Sequence, residues 1–288
     1  MPATDDILLT GQVAIVTGGG GGIGRACALR LADFGADVVI ADIEPVRAEE
    51  AAEQVRQRGR RALAVTTDVM DTDQIRAMVS AADAEFGRID ILVNNAGGTG
   101  NRLFEEQSER SWRRHVDINL FSMLAATHAV IPIMKREGRG GSIVNVSSIE
   151  GQRAAPGYAV YAACKAGMLN FTETMALELS GYGIRVNAIN PDHTVTPGTR
   201  GNISGPVDPS QWTKRTAEEE DVANRLIPLL REGVDMECGD AVVFLSSKMA
   251  SYITGVAIPV DGGTKAASGW HRTAKGNWTQ IIGQYGRP

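Results

Sequence analysis

The sequence is poor in cysteine, in aromatic residues and in clustered positive charge. Among its 288 residues are three cysteines, Cys27, Cys164 and Cys238, and only 5% are aromatic. The cysteines are far apart, and none forms a CxxC pair or lies beside histidines at metal-ligand spacing, which excludes a disulfide framework and predicts no metal site. Few aromatic residues and 33 glycines suit an α/β protein with many tight turns better than a sandwich.

Basic patches and long apolar runs are also lacking. The formal net charge is -5 and no block of Lys and Arg stands out, so nucleic acid is not an expected partner. The start, MPATDDILLTGQ, has no positive charge followed by an apolar stretch, which argues against a signal peptide. No uninterrupted apolar run approaches the ~18 residues of a membrane helix. We expect a cytoplasmic protein without a membrane partner.

Short β-branched runs alternate with longer segments of helical periodicity. The runs are nearly continuous in apolar residues, as strands covered on both faces are. This alternation predicts an α/β fold of the Rossmann type, a doubly wound parallel seven-stranded sheet with helices on both faces. The predicted strands are Val13–Thr17, Val38–Ala41, Ala62–Thr66, Ile91–Asn94, Ile143–Val146, Ile184–Ile189 and Val256–Val260. Predicted helices include Ile23–Phe34, Val46–Arg58, Thr72–Phe86 and Tyr161–Ser180.

Several helix ends carry their own signals. Gly35, Gly59 and Gly87 each follow the last residue of a predicted helix, where a left-handed cap is expected. Asp71 or Thr72 can cap the start of the helix that follows.

The chain is predicted to form a single domain, 1–288, with a core from about residue 10 to 263. Two regions break the strand–helix alternation. Residues 196–234 are rich in Gly, Pro and charge and are interpreted as a lid over the substrate. Residues 264–288 carry Trp270, Trp278 and Tyr285 on a polar background and form either a functional arm or a disordered end.

A glycine-rich turn follows the first predicted strand. It reads Thr17-Gly18-Gly19-Gly20-Gly21-Gly22-Ile23-Gly24-Arg25 and opens a helix. Glycines let the backbone approach a pyrophosphate, and the helix N-terminus offers free N–H groups to it. Five consecutive glycines can also be a flexible turn, but the strand–turn–helix context favours dinucleotide binding.

Asp42 ends the second predicted strand, about twenty residues after the glycines. An acidic residue there accepts hydrogen bonds from the adenosine ribose hydroxyls and repels a 2′-phosphate. No Arg follows at once to offset it, since the next residues are Ile43, Glu44 and Pro45. NAD is therefore favoured over NADP, although a solvated Asp at a strand end is the alternative reading.

Further motifs follow in a recognisable order. They are Asp68-Val69, Asn94-Asn95-Ala96-Gly97, Ser148, Tyr161-Ala162-Ala163-Cys164-Lys165 and Val260-Asp261-Gly262-Gly263. Together with the glycine-rich turn, they make the sequence similar to the short-chain dehydrogenase/reductase family over about residues 10 to 263. Each motif alone is modest in specificity, but the whole set at this spacing is typical of that family.

The resemblance implies four catalytic residues. Tyr161 is the expected general acid in carbonyl reduction and base in alcohol oxidation. Lys165, four residues later on the same helical face, is expected to favour the tyrosinate and to hold the nicotinamide ribose. Ser148 is expected to hydrogen-bond the substrate oxygen. Asn119 matches the residue that supports a water chain from Lys165 to solvent.

Three neighbouring residues compete for these roles. Ser147 is the rival of Ser148, and the spacing to Tyr161 favours Ser148. Tyr158 is not followed by Lys at the fourth place, so it is expected to line the substrate pocket instead. Cys164 adjoins Lys165, which could lower its pKa, but packing is the preferred reading.

The resemblance also implies a set of cofactor contacts, with a Thr and backbone groups after the sixth strand binding the carboxamide. The expected cofactor-binding residues are Gly18, Gly22, Ile23, Gly24, Asp42, Asp68, Val69, Asn95, Gly97, Tyr161, Lys165, Pro191, Thr194 and Thr196. One departure from the family is Asp192, where Gly is usual; an Asp tolerates unusual backbone angles better than most residues.

The predicted function is an NAD-dependent oxidoreductase that interconverts a secondary alcohol and a ketone. Apolar residues in the lid favour a bulky apolar or alicyclic alcohol such as a steroid, although any lid helix needs apolar residues to dock. They are Ile203, Val207, Trp212, Leu226 and Ile227. The alternatives are a 3-oxoacyl-thioester reductase, whose usual preference for NADPH conflicts with Asp42, and a non-catalytic NAD-sensing protein, which would be expected to lack some catalytic groups.

The resemblance further implies a homotetramer or homodimer. The helix from about Leu103 to Lys135 and the helix Tyr161–Ser180 are expected to form the main interface, and the aromatic tail to reach a neighbouring subunit or its active site.

Overall fold

A seven-stranded sheet forms the centre of the protein, as the sequence predicts. The computed structural model describes residues 4–280. All seven strands run parallel, in the order β3-β2-β1-β4-β5-β6-β9. Their bounds are β1 Val13–Thr17, β2 Asp37–Asp42, β3 Ala62–Thr66, β4 Ile91–Asn94, β5 Gly141–Val146, β6 Ile184–Pro191 and β9 Ala257–Val260. The Rossmann-type doubly wound fold is therefore confirmed.

Helices cover both faces of this sheet. They are α1 Gly22–Asp33, α2 Pro45–Gln57, α3 Thr72–Phe86, α4 Glu109–Val116, α5 Ser122–Lys135, α6 Ala159–Ser180, α7 Ala217–Arg225, α8 Asp235–Ser246 and α9 Thr264–Ala267. Alternate residues of each strand enter two separate cores because side chains point to opposite faces of a strand. Ala14 and Val16 pack in one core with α1, α2 and α8, whereas Val13 and Ile15 pack in the other with α3, α5 and α6.

The predicted helix ends are confirmed. Gly35, Gly59 and Gly87 have φ of 99°, 74° and 70°, which is the left-handed region that glycine adopts at little cost. Asp71 caps α3, because its side chain accepts hydrogen bonds from the backbone N–H groups of Asp73 and Gln74.

The long helix predicted from about Leu103 to Lys135 is instead interrupted. A π-helical turn, Asp117–Phe121, separates α4 from α5. By length and composition alone, the stretch Glu109–Gly138 has an apolar window that could cross a membrane, which the sequence reading did not anticipate. In the fold, 33% of that window is buried, and Met123, Val130 and Met134 of α5 lie inside the protein.

The two irregular regions contain short elements. In residues 196–234, α7 is preceded by a capping box at Thr216, and β7 Thr194–Val195 pairs with β8 Gly233–Val234. In the C-terminal region, β10 His271–Arg272 pairs antiparallel with β11 Trp278–Thr279. The Arg272 guanidinium lies 4.4 Å from the centre of the Trp278 ring. Tyr285 lies outside the described residues.

Candidate functional site

One cavity opens at the carboxyl edge of the sheet, beside the point where β1 is flanked by β2 on one side and β4 on the other. Open α/β sheets bind ligands at this place because the loops diverge there. The cavity measures about 810 Å³. Of the predicted site residues, all except Gly24 line it: Gly18, Gly22, Ile23, Asp42, Asp68, Val69, Asn95, Gly97, Asn119, Ser148, Tyr161, Lys165, Pro191, Thr194 and Thr196.

Gly24 contributes by allowing close packing at the start of α1. A Cβ at Gly24 would lie 2.0 Å from the carbonyl oxygen of Gly18 and 2.4 Å from Nδ2 of Asn95. Only glycine fits there, so the turn folds tightly against the helix and leaves its N-terminal N–H groups facing the cavity. This cradle fits the pyrophosphate of a dinucleotide.

Asn95 holds the glycine-rich turn against the end of β4. Its Nδ2 donates to the carbonyl oxygens of Thr17 at 2.9 Å and Gly18 at 3.1 Å. The Thr17 hydroxyl in turn accepts from the backbone N–H groups of Asn95 and Ala96. Asn95 therefore shapes the cofactor cradle in addition to lining it.

Asp42 lies at the end of β2, against the same turn. Its carboxylate accepts hydrogen bonds from the backbone N–H of Gly20 at 2.9 Å and of Glu44 at 3.0 Å. Farther along the cavity, Asp68 accepts from the backbone N–H of Met70 at 2.9 Å. Both carboxylates line the cavity and are held in place by the backbone.

Arg47, on α2, was missed by the sequence reading. It is only 8% exposed, lines the cavity, and donates to the carbonyl oxygens of Asn202, at 3.0 Å, and Gly205. A Cβ at Gly21 would lie 3.3 Å from its Nη1. A buried cation therefore joins residues 202–205 to the glycine-rich turn, although no Arg follows Asp42 directly in sequence.

Asn119 lies within the π-helical turn and is fully buried. Its Oδ1 accepts from the backbone N–H of Gly98 at 3.0 Å, and its Nδ2 donates to the carbonyl oxygens of Gly98 and His115. A π-bulge widens the helix and often marks a functional position. Here it allows the Asn119 amide to hold the loop after β4, which includes Gly97.

Ser147 and Ser148 point in different directions after β5. The Ser147 hydroxyl donates to the backbone carbonyl of Lys165 at 3.0 Å and so ties β5 to α6. The Ser148 hydroxyl faces the cavity, where it donates to the carboxylate of Glu150. Both serines line the cavity, but only the Ser148 hydroxyl is free of a contact with the backbone of α6.

Tyr161 is nearly buried beside Ser148. Burial raises its pKa to about 12, although the hydrogen bond with Ser148 lowers it. The carboxylates of Glu150 and Asp192 raise it further. The sequence led us to expect that Lys165 lowers the Tyr161 pKa. In the structure the Tyr161 pKa is raised instead, because the effect of burial outweighs that of the hydrogen bond with Ser148.

Lys165 lies one helical turn after Tyr161, with its Nζ 5.6 Å from the centre of the Tyr161 ring. Its Nζ donates to the carbonyl oxygen of Val146 at 2.7 Å. Burial lowers the Lys165 pKa to about 8. Burial also raises the pKa of Cys164, although Lys165 lowers it, which agrees with a packing role for that thiol.

The segment after β6 departs from expectation in its backbone. Asp192 does not adopt a positive φ; His193 does, at 43°. The Asp192 carboxylate accepts from the Thr264 hydroxyl at 2.8 Å and pairs with Arg153 at 3.1 Å. Thr196 packs over the glycine-rich turn, since a Cβ at Gly22 would lie 3.2 Å from the Thr196 Cβ.

Charged residues on the substrate side were also missed. Glu150, Arg153 and His193 line the cavity near Tyr161, and no motif marks them in the sequence. Conversely, the apolar lid residues expected there are absent from the wall: in the described part of the lid, residues 196–199 line the cavity. Within residues 4–280, no cluster of His, Cys, Asp or Glu could hold a metal.

Comparisons with known proteins agree with this architecture. The sequence matches the short chain dehydrogenase family over residues 12–205. It is 37% identical to the 3-oxoacyl-acyl-carrier-protein reductase of Thermotoga maritima, over 88% of this chain and 98% of that protein. It is 38% identical to the reductase of the same name from Chlamydia muridarum, over 89% of this chain and 98% of that protein.

The fold is also similar to that of a solved structure. 7α-Hydroxysteroid dehydrogenase in complex with NADH and 7-oxoglycochenodeoxycholic acid superposes with a TM-score of 0.81 and 32% identity, covering 91% of this chain and 98% of that one. With the family match, these similarities decide the classification. This chain belongs to the short-chain dehydrogenase/reductase family and is an oxidoreductase that uses a nicotinamide cofactor.

Proposed function

We propose that this chain interconverts a secondary alcohol and a ketone, with Tyr161 as the group that gives or takes the proton. The observation that carries the proposal is that Ser148, Tyr161 and Lys165 line the same cavity as the glycine-rich turn, with the Lys165 Nζ 5.6 Å from the centre of the Tyr161 ring. The function rests on this site, because the fold alone hosts many activities.

Each side chain has a distinct task in this reaction. A bound nicotinamide supplies or accepts the hydride. Tyr161 donates its proton to the oxygen formed in reduction and takes the hydroxyl proton in oxidation. Ser148 binds the same oxygen, and Lys165 places positive charge beside Tyr161. Asn119 holds the loop after β4 and with it the wall on which Gly97 lies.

For the cofactor, we propose NAD in preference to NADP, with Gly18, Gly22, Gly24 and Asn95 shaping the pyrophosphate cradle. The Asp42 carboxylate, fixed by two backbone N–H groups, supports this choice because it would lie against a 2′-phosphate. We further propose that Asp68 and Val69 contact the adenine. The remaining contacts, toward the nicotinamide, are assigned to Ile23, Tyr161, Lys165, Pro191, Thr194 and Thr196.

Two substrate classes remain candidates. The names of the curated relatives support a 3-oxoacyl thioester, which is the better supported of the two. The steroid complex of the structural neighbour supports an alicyclic ketone or alcohol. The charged wall formed by Glu150, Arg153 and Asp192 argues against a purely apolar guest.

The test is a cofactor and substrate panel with the wild type and Tyr161→Phe. Oxidation of alicyclic alcohols and reduction of 3-oxoacyl thioesters are followed by the absorbance of NADH and of NADPH. We expect NAD-dependent turnover that falls by at least about a hundredfold in Tyr161→Phe, while NADH binding is retained. Equal rates in both proteins would refute the role of Tyr161, and turnover with NADP alone would refute that of Asp42.

We also propose a single-domain homo-oligomer with a lid, residues 196–234, and a C-terminal arm, residues 264–288. Val116, Phe121 and Leu177 are exposed apolar residues on the two helical segments expected to form the interface, and Leu177 is 78% exposed. Three buried free thiols support a reducing, cytoplasmic location. Light scattering of the full chain and of a chain ending at Gly263 tests the assembly and the arm.

A further inference from the structure

A charged cluster adjoins the catalytic serine on the substrate side of the cavity. The Ser148 hydroxyl donates to Glu150, and the other oxygen of that carboxylate accepts from Arg153 at 2.9 Å. Arg153 also donates to Asp192 at 3.1 Å. Asp192 accepts a second hydrogen bond from the hydroxyl of Thr264, which lies in the segment after β9. The cluster therefore joins the loops after β5 and β6 to the segment after β9.

The cluster contains more negative than positive charge. Arg153 is the one guanidinium shared by two carboxylates, and its side chain is 41% exposed, whereas those of Glu150 and Asp192 are 19% and 10% exposed. The His193 ring lies 3.4 Å from the Asp192 carboxylate. Burial raises the pKa of Glu150, but the hydrogen bonds from Ser148 and Arg153 outweigh it, so the carboxylate is ionised.

The Ser148 contact creates a conflict with catalysis. A serine hydroxyl has one proton to donate. While Tyr161 is protonated, that proton goes to Glu150 in this structure, whereas a ketone oxygen needs it for binding and for charge stabilisation. When Ser148 turns to the substrate, one oxygen of the half-buried Glu150 carboxylate loses its donor, while Arg153 still pairs with the other oxygen, and a charged oxygen left without a donor is costly. A substrate that brings its own donor removes this cost.

We propose that Glu150 binds a hydroxyl group on the carbon next to the reacting carbon, so that, within the alicyclic class of alcohols and ketones, α-hydroxyketones and vicinal diols are preferred. This inference rests on the proposed alcohol–ketone reaction. Oxygens on adjacent carbons lie about 2.8 Å apart, the separation of hydrogen-bonded oxygens, so they can face Ser148 and Glu150 together. The Arg153 guanidinium beside the carboxylate disfavours an ammonium donor and leaves a neutral hydroxyl as the fitting group.

The test compares cyclohexanol with the cis and trans 1,2-cyclohexanediols in the wild type. We expect kcat/KM to be roughly 10- to 100-fold higher for one diol, which is the effect of one hydrogen bond to a charged group. In Glu150→Gln that advantage should fall below about threefold, because the acceptor is no longer charged. The matched control is Glu85→Gln on the exposed face of α3, which should keep the preference.

A binding measurement separates this inference from the proposed reaction. Both alcohols are titrated calorimetrically against the wild type saturated with NADH, so that their affinities are obtained without turnover. Tighter binding of a diol without turnover of either alcohol supports the hydroxyl site and counts against the reaction. Equal or weaker binding of both diols overturns the site, even if cyclohexanol is oxidised. An unchanged preference in Glu150→Gln also overturns it.

Discussion

Replacing Gly24 by Ala tests whether close packing between the glycine-rich turn and α1 builds the cofactor cradle. The new Cβ would lie 2.0 Å from the Gly18 carbonyl oxygen, whereas real Cβ atoms keep at least 3.0 Å from such neighbours. The turn and helix must therefore separate by about 1 Å, and the obstructing atom belongs to the backbone, which cannot rotate away. We expect overpacking of this kind to cost about 1–3 kcal/mol in the free energy of unfolding.

Gly24→Ala should also weaken cofactor binding by the folded protein, in addition to lowering the free energy of unfolding. A 1 Å displacement of the turn misaligns the N–H groups that face the pyrophosphate, and each hydrogen bond to a charged group contributes about 1.5–3 kcal/mol. The dissociation constant for NADH should therefore rise roughly 10- to 100-fold. Urea unfolding gives the first quantity and NADH fluorescence titration the second.

The matched control is Gly21→Ala in the same turn. Gly21 has φ of -151°, which any residue adopts, and its Cβ would meet a single side-chain atom, Nη1 of Arg47, at 3.3 Å, which a shift of a few tenths of an ångström relieves. We expect this variant to stay within about 0.5 kcal/mol of the wild type. If Gly24→Ala bound NADH and unfolded like Gly21→Ala, the packing explanation of the cradle would be refuted.

Three more predictions concern charge. Alcohol oxidation should accelerate from neutral pH upward, because Tyr161 must be ionised and burial raises its pKa to about 12. Ketone reduction needs protonated Tyr161 and should not accelerate in this way. Parallel pH profiles of kcat/KM for the two directions would contradict the assignment of Tyr161. Arg47→Gln should expose residues 198–208 to proteolysis and weaken NADH binding about tenfold, whereas the exposed Arg56→Gln on the same helix should do neither. Burial raises the pKa of Asp37, but hydrogen bonds from two arginines outweigh it and leave the pKa lowered. Asp37→Asn should therefore lower the free energy of unfolding by about 1 kcal/mol at neutral pH. Measured by urea unfolding, this difference from the wild type should vanish as the pH falls through the Asp37 pKa of the folded protein. A difference that stays constant with pH would exclude the ion pairs as its cause.

Features that depend on neighbours in the chain were predictable. Tyr161 and Lys165 share a helical face because four residues make about one turn, and the structure places both on the cavity wall. Gly35 and Gly87 end their helices because the required φ is positive. The strands were identified within a few residues, since buried parallel strands are continuous apolar runs. The order of the strands in the sheet was not predicted and comes from the structure.

Features that join distant segments were not predictable. Arg47 of α2 donates to the Asn202 carbonyl, and Glu150 and Asp192 meet at Arg153 from the loops after different strands. The π-helical turn at Asn119 was likewise read as regular helix. Sequence by itself determined the fold class, the cofactor turn and the helical Tyr–Lys pair, because each depends on local backbone geometry or on periodic burial. Only the tertiary structure decided which charges surround them, because those contacts depend on how loops from separate strands pack together.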